Sequence, residues 1–131
     1  MAAPTGKHLF DLPILDAGKD VGKVSVTLPR EKVYLVAFSH GADNRLTTPF
    51  CTTLLLALDI LQARHPPGVL ITTSAISKFY SNGLDLAHAE STPGFWREAL
   101  YPLWRRLMTW PGPTVAWVNG HAFAGGLMVA M

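Results

Sequence analysis

Three short apolar runs divide this chain: residues 33–38 (VYLVAF), 69–73 (VLITT) and 114–118 (TVAWV). They lack the polar alternation of a strand with one wet face, and they are rich in strand formers, as expected for strands covered on both sides. Between the first two lies a stretch with helical period. Thr48 and Pro49 supply an N-cap and a first-turn proline, Phe50, Leu54, Leu58 and Leu61 share one face, and His65-Pro66-Pro67-Gly68 ends the pattern. Between the second and third runs, residues 94–110 place Trp96, Leu100, Leu103, Leu107 and Trp110 on one side and Arg97, Glu98, Arg105 and Arg106 on the other. Pro102 inside that stretch predicts a kink, or two short helices with the second opening at the proline. Strand–helix–strand crossovers of this length require parallel pairing and a right-handed connection, so the fold class is α/β.

Upstream, Val24, Val26 and Leu28 alternate with Ser25 and Thr27, which predicts a half-buried strand forming a hairpin with 33–38 across a turn at 29–32. Residues 1–21 have Pro and Gly punctuation and no clear period, and are expected to be a loose N-terminal segment. At 131 residues the chain has room for one domain. That domain is expected over residues 22–131.

Composition narrows the partners. Hydrophobic residues make up 49% of the chain and charged residues 15%, a balance that leaves much of the surface suited to contact with more protein. A formal charge of +2, with its basic residues scattered, forms no nucleic-acid stripe. The single Cys51 excludes an intrachain disulfide and fits a reducing compartment; set among Phe50, Leu54 and Leu55, it reads as a buried structural thiol. The first residues lack the apolar core of a secretory signal, so an intracellular protein is expected. The apolar run 122–131 is about half of the ~20 residues a membrane span needs. It reads instead as a core helix without a C-cap, and the chain as the N-terminal part of a longer protein.

The chemistry concentrates in two glycine-bearing loops, each after a parallel strand: residues 80–86, and residues 119–126 within NGHAFAGGLMVAM. Ligands of open α/β sheets bind beyond the carboxyl ends of the strands, so both loops should face one crevice. A glycine-rich turn opening a helix leaves N–H groups without intrahelical partners and lets a ligand atom approach closely. One N–H from each loop, converging on one carbonyl oxygen, would make an oxyanion hole. Other glycine motifs fail. Gly120 and Gly125 have P-loop spacing, but Gly126 and Leu127 stand where Lys and Ser or Thr should follow, and His121 and Ala122 spoil the dinucleotide fingerprint. Ser81 lacks the preceding glycine of a nucleophile elbow and reads as a turn serine. The five histidines and Cys51 show no ligand spacing, so no metal site is expected.

The pairing of FYSNGLDL (79–86) with PTVAWVNGHAFAGGLMVAM (113–131), preceded by DNRLT and a helix, resembles the crotonase, or enoyl-CoA hydratase/isomerase, superfamily. The resemblance implies a ββα spiral, of which residues 22–131 would be the N-terminal part, truncated on its C-terminal side. It implies an acyl-CoA substrate, with coenzyme A part of the substrate and no separate cofactor. By the family pattern the thioester oxygen would be held by the N–H of Leu84 and the N–H of Gly125. Asn82, Gly83 and Gly126 would line the substrate site, and Lys78 and Arg45 could reach the CoA phosphates. The homo-trimers or hexamers of the family are the expected assembly.

One position departs from the hydratase pattern. Where that pattern has a glutamate that positions water, this chain has Met128, which cannot orient water as a carboxylate does. The resemblance then points to the Δ3,Δ2-enoyl-CoA isomerases, which lack this glutamate and take their general base from farther along the chain, here beyond Met131. The loops look most like the eukaryotic peroxisomal branch, so a peroxisomal location is favoured over a cytosolic one and fatty-acid β-oxidation is the implied setting. Met128 either lines the acyl pocket or faces the core. Asp85 reads as a helix cap and not as a base. The alternatives are an enoyl-CoA hydratase, another crotonase reaction such as dienoyl isomerisation, thioester hydrolysis or decarboxylation, and a non-catalytic acyl-CoA-binding or structural pseudoenzyme. The chain by itself is expected to be inactive.

Overall fold

The computed structural model describes residues 6–131. Its main sheet has five strands in the order β1-β2-β3-β4-β6: β1 is Lys7–Asp16, β2 Lys19–Arg30, β3 Val33–His40, β4 Val69–Ser74 and β6 Thr114–Ala116. The first three strands pair antiparallel, and β3–β4 and β4–β6 pair parallel. The parallel half matches the three apolar runs. Tyr34, Val36, Phe38 and Leu70 are buried there, against Phe50, Leu54, Leu58 and Leu61 of helix α1 (Thr48–Arg64). Cys51 is fully buried in the same core, and desolvation pushes its thiol up to about 12, so it is an inert packing group.

Residues 7–21 correct the expectation of a loose segment; residues 1–5 lie outside the described residues. Phe10, Leu12 and Ile14 alternate toward the core, the period-two signature of a strand, and Ala17 and Gly18 turn the chain with φ of 50° and 81° into β2. Pro13 misleads as a breaker. On an edge strand, proline need not donate to a neighbour.

Helix α1 begins one residue earlier than the Thr48–Pro49 reading. Thr47 is the N-cap, its side chain accepting from the Phe50 N–H, and Pro49 sits within the first turn. Pro102 has the expected effect in an unusual form. A π-helical run, Phe95–Leu100, leads into α3 (Tyr101–Met108), with the Tyr101 N–H bonding five residues back to the Trp96 carbonyl. The wider turn accommodates a proline that an α-helical interior would not. Strand β6 is shorter than the predicted 114–118. Asn119 extends the pairing with its side chain, Nδ2 donating to the Ser74 carbonyl at 2.7 Å and Oδ1 accepting from the Ser74 N–H at 3.3 Å.

Two strands too short to predict, β5 (Phe79–Ser81) and β7 (His121–Ala122), pair parallel as a separate small sheet. Asn44 ties this sheet to the large one. It is fully buried with φ of 53°; Oδ1 accepts from the His40 N–H at 2.8 Å, and Nδ2 donates to Ser74 Oγ at 2.7 Å and to the Tyr80 carbonyl at 2.9 Å. Ser81 Oγ donates to the Asn44 carbonyl at 2.8 Å. Asn44→Ala should destabilise the protein by about 2–4 kcal/mol in urea unfolding, since it strands several buried polar groups. Asn44→Gly should lose about 1 kcal/mol less, because glycine accepts the left-handed backbone.

Candidate functional site

The two glycine loops meet at the carboxyl ends of the parallel strands, backbone against backbone. The Phe123 N–H donates to the Ser81 carbonyl at 3.0 Å, and the His121 N–H to the Lys78 carbonyl at 2.9 Å. A Cβ on Gly126 would fall 2.2 Å from the Ser81 carbonyl oxygen, and one on Gly120 2.6 Å from that of Lys78. Only glycine permits this approach. Gly83, with φ of 92°, lies just across: a Cβ there would be 3.3 Å from the Gly125 nitrogen and 3.1 Å from the Phe123 carbonyl oxygen.

Leu84 is held by a parallel bridge to Leu46. The Leu46 N–H donates to the Gly83 carbonyl at 2.8 Å, and the Asp85 N–H to the Leu46 carbonyl at 3.2 Å. In such a bridge the N–H of the central residue points away from its partner strand. Gly125 is the first residue of α4 (Gly125–Ala130), and the Ala124 carbonyl before it accepts from the Met128 N–H at 3.2 Å, so the Gly125 N–H projects out of the helix start. Among the described residues, neither the Leu84 N–H nor the Gly125 N–H donates to a protein acceptor. The Leu84 side chain packs on Gly125, 3.5 Å from where its Cβ would be.

The remaining site expectations fall on both sides of this pair. Asn82 is tied inward, its N–H to the Asp43 carbonyl at 3.0 Å and its Nδ2 to Asp43 Oδ2 at 3.0 Å. Arg45 is engaged as well: Nε pairs with Asp43 at 3.0 Å and Nη1 donates to the Leu84 carbonyl at 3.2 Å. Lys78 is exposed, its ammonium 5.4 Å from the centre of the Phe79 ring. Met128 is 54% exposed and lines a cavity of about 440 Å³ with Trp104, Leu107, Val115 and Ala116. Asp85 is a cap: it opens α2 (Leu86–Ser91) and accepts from the His88 N–H at 3.0 Å, while His88 Nε2 accepts the Thr48 N–H at 3.0 Å.

By residue type alone, Asp43 and Asn44 are ordinary turn formers. Beside local bonds to Arg45 and His40, their partners Asn82, Ser74 and Tyr80 lie 30–39 residues away, and nothing local announces those. The hydrogen bond from Asn82, with those from Arg45 and the guanidinium charge, holds the Asp43 carboxyl below the usual carboxylate range against the opposing effect of burial. Among the described residues no group of three His, Cys, Asp or Glu side chains gathers as a metal would require.

With this geometry in view, comparison with known proteins places the chain. The family model for enoyl-CoA hydratase/isomerase matches residues 30–131, and the chain belongs to that family. It is 37% identical over 109 residues to the peroxisomal enoyl-CoA delta isomerase 1 of Arabidopsis thaliana, covering 78% of this chain and 44% of that one. It superposes on the human mitochondrial delta3-delta2-enoyl-CoA isomerase with a TM-score of 0.69 at 31% identity, over 82% of this chain and 43% of that one. A methylmalonyl CoA decarboxylase matches with a TM-score of 0.70 at 25% identity, over 82% and 41%. The architecture is thus the crotonase fold. The chain spans less than half the length of these relatives.

Two outcomes follow from the loop geometry. Gly83→Ala should destabilise the protein by about 1–3 kcal/mol in thermal melts, because a side chain there meets both a positive φ and the opposing loop. Asp43, with a folded pKa below its unfolded value of about 3.9, contributes stability that is fully present above about pH 4 and is lost as pH falls through the folded pKa. Acid titration of Asp43→Asn should show lower stability at neutral pH and a weaker decline across that acidic window than the wild type.

Proposed function

We propose that the whole protein is an enoyl-CoA isomerase that converts 3-enoyl-CoA to 2-enoyl-CoA through a thioester enolate. The observation that carries this reading is the pair of unengaged backbone donors, Leu84 and Gly125, on adjoining loops with Met128 one helical turn beyond the second. In the proposed reaction the thioester oxygen lies between the two N–H groups. A base removes a proton from C2, and the electron pair of that C–H bond delocalises onto the thioester oxygen. The proton returns at C4 as the double bond settles between C2 and C3. Fixed donors aimed at developing negative charge are worth about 2.7–4 kcal/mol each in comparable sites.

The base is assigned to the part of the protein beyond Met131, since Asp85 caps α2 and Asp43 is committed to Asn82 and Arg45. Met128 supplies no carboxylate to orient water, which favours isomerisation over hydration. Gly83 and Gly126 give the close approach the acyl group needs, and exposed Lys78 is the proposed contact for CoA phosphate. The names of the similar isomerases support the substrate class. They support a peroxisomal or a mitochondrial setting equally, and the peroxisomal one is kept as the proposal on the loop resemblance.

A trimeric or hexameric assembly is also proposed, supported by the exposure of Val115, Trp117, Val118, Phe123 and Leu127. The test gives the whole protein 3-enoyl-CoA and 2-enoyl-CoA and follows double-bond migration and water addition, with sedimentation reporting its size. Isomerisation should dominate. Dominant hydration would overturn the role given to Met128, failure to turn over either thioester would favour a non-catalytic binder, and a sedimenting monomer would remove the oligomer.

A further inference from the structure

Arg45 has the charge to hold a CoA phosphate, yet its side chain is spent elsewhere. Both peptide groups flanking Leu84 are pinned by the segment 43–46. The Gly83–Leu84 peptide is held at its carbonyl by the Leu46 N–H at 2.8 Å, and the Leu84–Asp85 peptide is held at its N–H by the Leu46 carbonyl at 3.2 Å. The carbonyl of that second peptide is then held by Arg45 Nη1 at 3.2 Å. Arg45 is itself fixed by Asp43 through Nε at 3.0 Å, and the same Asp43 oxygen takes Nδ2 of Asn82, two residues before Leu84. The planar guanidinium thus spans from the loop that aims the donor to the carboxylate that braces it, a geometry a lysine cannot reproduce.

We propose that Arg45 is a positioning residue: with Asp43 it fixes the Leu84–Asp85 peptide, and through that neighbour it keeps the Gly83–Leu84 peptide, which carries the donor N–H and is bound by the Leu46 N–H, in its orientation; it does not contact the CoA phosphates. This rests on the acyl-CoA reading above. An oxyanion donor works only if aimed before the charge develops, and a misplacement of about 1 Å can cost about a hundredfold in rate. The Arg45–Asp43 pair is partly solvated, with side chains 41% and 25% exposed, so the ion pair is expected to add little to stability and Arg45 variants are expected to fold.

The experiment uses the whole protein as wild type, Arg45→Ala and Arg45→Lys, with melting curves to establish folding. Turnover is measured with a 3-enoyl-CoA and with the matching 3-enoyl-pantetheine thioester, which has no phosphates. The carbonyl stretch of a bound, unreactive acyl-CoA reports polarisation of the thioester. A positioning role predicts a kcat lower by about ten- to a hundredfold for both thioesters in both variants, KM within about threefold, and a smaller carbonyl shift. A rise in KM confined to the CoA thioester, with kcat and the carbonyl shift intact, would make Arg45 a phosphate contact and overturn the proposal, as would variants that match the wild type throughout. Were Arg45→Ala to unfold, Arg45→Lys alone decides between the same outcomes. A wild type that neither shifts the carbonyl nor turns over either thioester would bring down the acyl-CoA reading itself and this proposal with it.

Discussion

The carboxamide of Asn44 joins the end of β3, the end of β4 and the start of the small β5–β7 sheet, and it does so without access to water. A buried amide left unpaired is expensive, so each partner is obliged to be where it is. Ser74, bound on one side by Asn44, is bound on the other by the side chain of Asn119, which stands at the head of the second glycine loop. Two asparagines on opposite flanks of one strand end therefore set the separation of the loops that follow.

Glycine completes what the asparagines begin. Once the loops are brought together, Gly120 and Gly126 let them touch through their backbones, at distances no side chain allows. The closeness in turn sets Gly83 against the Gly125 nitrogen. Charge enters only at the margin, where Asp43, Asn82 and Arg45 lace the first loop to the segment ahead of α1. The site is in this sense a consequence of main-chain packing, with side chains serving as braces.

That division explains what could be read from the residues. The three apolar runs and the face of α1 were legible because their periods are local and repeated, and the break at Pro102 because proline has one dominant effect. Strand β1 was hidden by Pro13 and Gly18, read as punctuation although Phe10, Leu12 and Ile14 kept strict alternation through it. Strands β5 and β7 are three and two residues long and exist only through each other, across some forty residues of chain. The glycine loops were visible as a pair, since glycine's tolerance is a local property. Asn44 was visible only as a turn former and Arg45 only as a candidate phosphate contact; their hydrogen bonds reach 30–39 residues along the chain.

Because the groups that face the proposed substrate oxygen are amide N–H groups, the side chain at position 84 carries none of the polarity there. Leu84 turns its own carbons onto Gly125 and Leu46 lies beside them, so the residue is read by its neighbours as shape. Scanning such a centre by truncating side chains one at a time would pass over it almost in silence. Its chemistry answers to changes of backbone: a proline that deletes the N–H, an ester in place of the amide, or a distant residue whose loss lets the peptide plane turn.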